Sequence, residues 1–328
     1  MRTKKQLVRN LKSRFPSLNK NRKAAAAVKV SRSLGMHLGQ LAATMAPDEL
    51  ARYIRYNILP GIPCGGPGSW HHGFRALIRD LNALMRASET DRSLFIRKGN
   101  SKLPFICWSE LPFFTCPGKG PCAEYCYTTT SWRNPGPYLR QLFNTIAMKY
   151  RKDLIRDHWL ELPRGAIVRL YVDGDFRDLA TLQFWLELCE LRPDLLVYGY
   201  SKSWPLFLAH DRPFPANYML NVSSGSKYGL ELSKQLETLT RADGSLLVRG
   251  LFAAVAIDMT GINSKTRYSN PLYHKRVRAA ILEQYGVRGW SCTGQCGSCA
   301  SGKHACGSSL FQNVIIGIGI HGNGGRGE

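Results

Sequence analysis

The chain has 328 residues, of which 44% are hydrophobic and 10% aromatic; this composition excludes an intrinsically disordered chain and allows a substantial core without crosslinks. No run of about 18 or more apolar residues occurs, which excludes a membrane-spanning helix, and Lys29 interrupts residues 24–30, so the basic beginning has no signal-type apolar stretch; a cytoplasmic protein with no membrane partner is expected. The 45 Lys and Arg against 23 Asp and Glu leave a net charge of +22, a field that concentrates polyanions and points to nucleic acid as partner, unless it serves only solubility.

Eleven Lys and Arg, from Arg2 to Arg32, precede the first acid, Asp48, so the first 47 residues carry +11. Residues 1–59 read as basic helices, with Pro47-Asp48-Glu49 opening one of them. Pro60, Gly61, Pro63, Gly65, Gly66, Pro67 and Gly68 then punctuate the chain. Three segments are expected: a basic helical extension over 1–68, an α/β core over 69–285 and a cysteine-rich segment over 286–328. His71 and His72 are adjacent, diverge on a helix and read as a helix start rather than a metal pair. Phe74, Leu77, Ile78, Leu81, Leu84 and Met85 recur at helical spacing.

The centre alternates. Residues 166–172, 195–200, 218–222 and 246–257 are β-rich apolar runs, while 179–191, with Asp178 as its cap, and 230–239 have helical spacing. Strand, helix, strand at this spacing predicts parallel βα units. Functional residues of such sheets gather at the carboxyl ends of strands. Asp173-Gly174-Asp175, Ser201-Lys202-Ser203 and Ser223-Ser224-Gly225-Ser226 fall there, although each could be a plain turn.

Of ten cysteines, Cys64, Cys107 and Cys189 stand alone. The others form two groups, which in a chain of this kind point to metal rather than disulfides. Cys116, Cys122 and Cys126 are spaced C-x5-C-x3-C, with two Pro and two Gly in the first gap and one helical turn across the second. Three soft thiolates suit an iron–sulfur cluster with one iron left open; zinc would need a fourth ligand from Cys107, a histidine or the later cysteines; three ordinary buried thiols are the remaining reading. Cys292, Cys296, Cys299 and Cys306 are enough for a closed site holding zinc or a second iron–sulfur cluster. His304 could replace one of them, and the two groups could also build one site together. His321 reads as a surface residue. Tyr127, Trp132, Tyr138 and Tyr150 interleave with Arg133, Arg140, Lys149 and Arg151, a pattern that serves either stacking on unpaired bases or a core with solvated cations.

Gly99-Asn100-Ser101-Lys102, the Cys116…Cys122…Cys126-Tyr127 group, residues 168–176, residues 198–203 and Cys296-Gly297-Ser298-Cys299 carry a likeness that covers roughly residues 94–322. Together they resemble the gene product 88 family of phage and plasmid proteins and, more loosely, radical S-adenosylmethionine enzymes, whose usual C-x3-C-x2-C spacing is shorter. The second resemblance implies an α/β fold, a partial (β/α)6 TIM-like barrel, here with the basic helical extension and the cysteine-rich metal-binding segment added. It implies a [4Fe–4S] cluster on three cysteines, S-adenosylmethionine on the open iron, an external electron donor and a deoxyadenosyl radical that abstracts hydrogen. Gly174 and Asp175 stand where a glycine–acid motif would hold the cofactor's amino group; Tyr127, Ser201, Lys202 and Ser223 are further candidates to contact it. The function expected is radical modification of a nucleic acid or nucleotide. The alternative is a non-enzymatic nucleic-acid-binding protein of a phage or plasmid with structural metal sites.

Overall fold

The computed structural model describes residues 24–86, 92–97, 103–299 and 304–320. The basic run from Arg2 to Lys23, the Gly99-Asn100-Ser101-Lys102 motif and His321 lie outside the described residues. The chain divides into two compact units. One takes residues up to 94 with 109–114 and 127–157; the other takes 95–108, 115–126 and residues from 158 onward. Residues 59–68 fall inside the first unit.

The first unit is helical: α1 (Ala24–Thr44), α2 (Pro47–Tyr53), α3 (Trp70–Met85), α4 (Thr128–Ser131) and α5 (Pro135–Tyr150). Pro47 is the first residue of α2, and the Glu49 carboxylate accepts the Ala46 N–H at 3.1 Å, satisfying a donor that helix geometry leaves open. Ser69 caps α3 by accepting the His72 N–H at 3.2 Å, which puts His71 and His72 at the helix start. Phe74, Leu77, Ile78, Leu81 and Leu84 of the stripe are buried, as their spacing requires, while Met85, the last residue of the helix, is exposed. Helix α5 is buried almost all round; Asn144 Nδ2 donates to the carbonyls of Leu94 (3.0 Å) and Ser109 (2.9 Å), while its Oδ1 has no hydrogen-bond partner among the described residues.

That packing decides the interleaved aromatics. Trp132 and Tyr138 are fully buried, donating to Gln141 Oε1 at 2.8 Å and to the Gly35 carbonyl at 3.3 Å, so these two are core and unavailable to bases. Tyr127 and Tyr150 are exposed, with the Lys149 ammonium 4.9 Å from the Tyr150 ring centre. Of the eleven leading cations, Arg32 lies 5.6 Å over the Phe113 ring.

The second unit holds a seven-stranded parallel sheet curled into a half-barrel: β1 (Ile106–Cys107), β2 (Ile167–Leu170), β3 (Leu196–Ser201), β4 (Tyr218–Ser223), β5 (Val248–Val255), β6 (Trp290–Ser291) and β7 (Ile316–Gly319), in the order β1-β2-β3-β4-β5-β7-β6. The helices α6 (Lys152–Leu160), α7 (Leu179–Leu191), α8 (Trp204–Leu208), α9 (Leu230–Leu236) and α10 (Pro271–Tyr285) are interspersed with the strands along the chain. The four β-rich runs appear as β2 to β5, and Asp178 caps α7 by accepting the Thr181 N–H at 2.7 Å. The sheet has seven strands where the radical-enzyme resemblance implied six; β1, β6 and β7, of two to four residues each, are too short to show as apolar runs.

Alternation gives the sheet two different faces. Val168, Leu170, Val197, Leu220 and Val222 share one, all buried and apolar. Arg169, Tyr198, Tyr200, Met219 and Asn221 share the other. Beyond the end of β1, Trp108 gathers with Phe95, Trp159 and Trp185, with centroids 5.0 Å apart for Trp108–Trp185 and 5.6 Å for Trp159–Trp185. The indole N–H of Trp185 donates to the Tyr171 hydroxyl at 3.1 Å, and that of Trp159 to the Leu188 carbonyl at 2.8 Å. Trp185→Ala should lower stability by about 3–5 kcal/mol, measured by urea unfolding of the full chain.

Candidate metal and cofactor site

The loop carrying Cys116, Cys122 and Cys126 follows β1 and is seated on the carboxyl ends of β3 and β4. Main-chain bonds hold it there: Lys227 N–H donates to the Gly118 carbonyl at 3.0 Å, and Cys122 N–H to the Gly225 carbonyl at 3.3 Å. The Ser226 hydroxyl reaches the Gly118 and Lys202 carbonyls, both at 3.2 Å. The approach is close because the glycines have no side chain. A Cβ on Gly118 would overlap the Lys202 carbonyl, and one on Gly225, whose φ is +75°, would overlap the Tyr125 hydroxyl and lie 2.9 Å from Cys122 Cβ. The three thiols are half-buried.

Beside this loop, Asp175 is 3% exposed. Its Oδ1 accepts the Phe176 N–H and the Ser201 hydroxyl, both at 2.8 Å, and its Oδ2 the Lys202 N–H at 2.7 Å. Burial pushes the carboxyl up, against the pull of these donors and the Lys202 charge. Lys202 Nζ donates to Ser223 Oγ at 2.7 Å. The turn that delivers Asp175 is conformationally demanding: Gly174 has φ +84°, and Tyr171, at the end of β2, has φ +53°. The structure therefore brings Gly174, Asp175, Ser201, Lys202 and Ser223 to one corner, next to the three-cysteine loop. Tyr127 belongs to the first unit.

The second group lies elsewhere on the same unit. Residues 292–315 connect β6 to its parallel neighbour β7, a connection that usually contains a helix. Here the described part contains only short 3-10 turns, and Cys292, Cys299 and Cys306 pack against Tyr198, Tyr200, Met219 and Phe252 on the polar face of the sheet. Cys296, Cys299 and Cys306 are near enough to Cys292 to act on its ionisation, and Cys296 acts on Cys107 in β1 as well. Burial pushes the Cys292 thiol up to about 12 and that of Cys107 to about 11. His304, between the last two cysteines, has φ +54° and stacks on Phe105 at 4.6 Å and edge-on to Tyr198 at 4.2 Å. Its Nε2 and the Tyr198 hydroxyl are both buried with no hydrogen-bond partner among the described residues.

As positioned, no group of three or more His, Cys, Asp or Glu among the described residues could hold a metal ion. The donor chemistry at the second group nevertheless fits one: four soft thiols, three half-buried and Cys306 buried, lie on the same face of the sheet as two orphaned polar atoms, a setting in which ionised sulfur needs a cation. Sequence reasoning missed Arg169, Tyr198, Tyr200, Asn221 and Arg249, which lie on that face or beside these thiols. Their signal was present, since polar residues at alternate positions are out of place in parallel strands, which normally read as continuous apolar runs.

A parallel half-barrel with a three-cysteine loop and a hydrogen-bonded acid, lysine and serine at its strand ends defines an α/β protein built around one strand-end site. The chain belongs to the gene product 88 family, whose model matches residues 78–247. That span contains the three-cysteine loop and the Asp175–Lys202–Ser223 corner and stops before the second cysteine group. No curated protein and no solved structure matches the chain.

Asp175→Asn keeps the two bonds to Oδ1 but turns an amide N–H toward the Lys202 N–H, so stability should fall by about 1–3 kcal/mol, read from urea midpoints. His304 gives a pH signature of its own. Burial, with Arg169 nearby, lowers its imidazole pKa to about 4, whereas an unfolded histidine titrates near about 6.5. Between those values the unfolded state binds more protons, so stability present above the upper value is lost as pH falls toward the lower. His304→Phe should flatten that part of the pH dependence of the urea midpoint.

Proposed function

We propose that the protein is an iron–sulfur enzyme of the radical S-adenosylmethionine kind, acting on a nucleic acid or a nucleotide. The observation that carries this reading is the seat of the three-cysteine loop, locked by main-chain bonds to the strand ends that also present Lys202 and Ser223. Cys116, Cys122 and Cys126 would hold a [4Fe–4S] cluster with one iron unfilled. The Lys202 ammonium would receive the carboxylate of the cofactor's amino-acid part, a charge-assisted bond in a half-buried corner. Asp175 orients this corner: its carboxylate fixes the Lys202 main chain and the Ser201 hydroxyl, and Gly174 provides the turn. Held there and reduced by an external donor, such a cluster would supply one-electron chemistry to a bound S-adenosylmethionine. The nucleic-acid partner is favoured by the net charge of +22.

Cys292, Cys296, Cys299 and Cys306 form a second, closed site for zinc or an auxiliary cluster. A long connection with little secondary structure of its own needs some other source of rigidity, and a metal bound by four thiolates provides it.

Anaerobic reconstitution with iron and sulfide, followed by absorption and paramagnetic resonance spectra, tests the reading. The reduced signal should change on adding S-adenosylmethionine, and Cys122→Ser should abolish that change. Zinc at full occupancy with no iron after anaerobic purification would overturn it and leave a nucleic-acid-binding protein with structural metal sites.

A further inference from the structure

β5 carries Arg249, which is fully buried. Its guanidinium donates to Asn221 Oδ1 at 2.7 Å and to the carbonyls of Val314 (2.6 Å), Leu251 (3.3 Å) and Phe311 (3.4 Å). Every one of these acceptors is uncharged. Among the described residues, Arg249 thus has its donors satisfied and no acidic side chain as a hydrogen-bond partner. Arginine cannot shed its proton in a protein, and a buried charge with no counter-charge is strongly unfavourable. A neutral side chain could have tied the same carbonyls.

Cys306 and Tyr200 both lie near enough to act on Arg249, and of the two Cys306 belongs to the second cysteine group. It is buried, and its carbonyl accepts from Asn221 Nδ2 at 2.8 Å, the same side chain whose oxygen receives Arg249 Nε. Val314 and Phe311, the other main-chain partners from the crossover, lie just beyond Cys306 in the same connection. Arg169 adds a second positive charge on this face, 4.4 Å over the Tyr200 ring, and it also acts on Cys296 and Cys306.

We propose that Arg249 is the buried counter-ion of an anionic metal centre held by the thiolates of Cys292, Cys296, Cys299 and Cys306, and that its charge, beyond its hydrogen bonds, keeps that centre in place. The inference rests on reading the second cysteine group as a metal site. Four thiolates around a divalent ion, or around an iron–sulfur core, leave net negative charge, which neutral thiols or a disulfide would not. Arg249 acts through the electrostatic field and through Asn221, which makes it a positioning residue rather than a ligand.

The test is cobalt(II) titration of the full-length, reduced, metal-free chain under anaerobic conditions, reading thiolate-to-cobalt absorption. Cys306→Ser identifies the part of the signal that belongs to the second group. R249Q, which keeps some hydrogen bonding but no charge, should weaken that part by about 10–100-fold, the usual effect of losing a partner behind the ligands. R249K, which keeps the charge, should weaken it by less than about tenfold. Thermal melts of the metal-free variants show whether each has folded, and R249K decides the matter if R249Q has not. A folded R249Q that binds as the parent does, or a folded R249K that loses as much as R249Q, overturns the role of Arg249 alone. A parent signal unchanged by Cys306→Ser overturns the metal site itself, and the proposal with it.

Discussion

A single buried carboxylate holds the strand-end corner together. Asp175 leaves β2 through a turn that needs Gly174 in a left-handed conformation, and it then accepts a hydroxyl and a main-chain N–H from the end of β3. Because Lys202 is fixed at its N–H, its carbonyl is presented to the Ser226 hydroxyl and to the backbone at Gly118. Its side chain, in turn, reaches Ser223 at the end of β4. Three strand ends and the cysteine loop are thereby linked through one acid. A buried acid with three donors is far less costly than an unpaired one, which is why such a group persists in the interior.

The acid is therefore engaged by the chain itself. A cofactor's ammonium group would compete with bonds that already define the corner. In the proposed site Lys202 would be the group that meets a ligand, with Asp175 acting through it. This division between a group that holds and a group that binds is common where a site must be preorganised before its ligand arrives.

The sheet reverses the usual economy of a parallel fold. One face is apolar, as parallel strands require. The other carries two arginines, two tyrosines and an asparagine and is covered in part by the cysteine-bearing crossover. Neutral acceptors and aromatic rings satisfy much of this polarity, including the edge and face contacts that fix His304. At Arg249 the acceptors among the described residues are all uncharged, and its charge links the sheet to the thiols lying on it.

The sequence by itself determined the parallel βα order, the capped starts of α2 and α7, the helical α3 and the grouping of the cysteines. All of these rest on local signals: apolar periodicity, cap residues and ligand spacing, which act within a few residues. It also identified Asp175, Ser201, Lys202 and Ser223 as strand-end candidates, because the end of a parallel strand is visible as the polar residue after an apolar run. Only the tertiary structure decided that those residues bond to one another, that Trp132 and Tyr138 are core, and that β7 inserts between β5 and β6. It also decided which face Arg249 and the second cysteine group share. Such facts depend on pairing and packing between residues far apart in the chain, which no local pattern encodes.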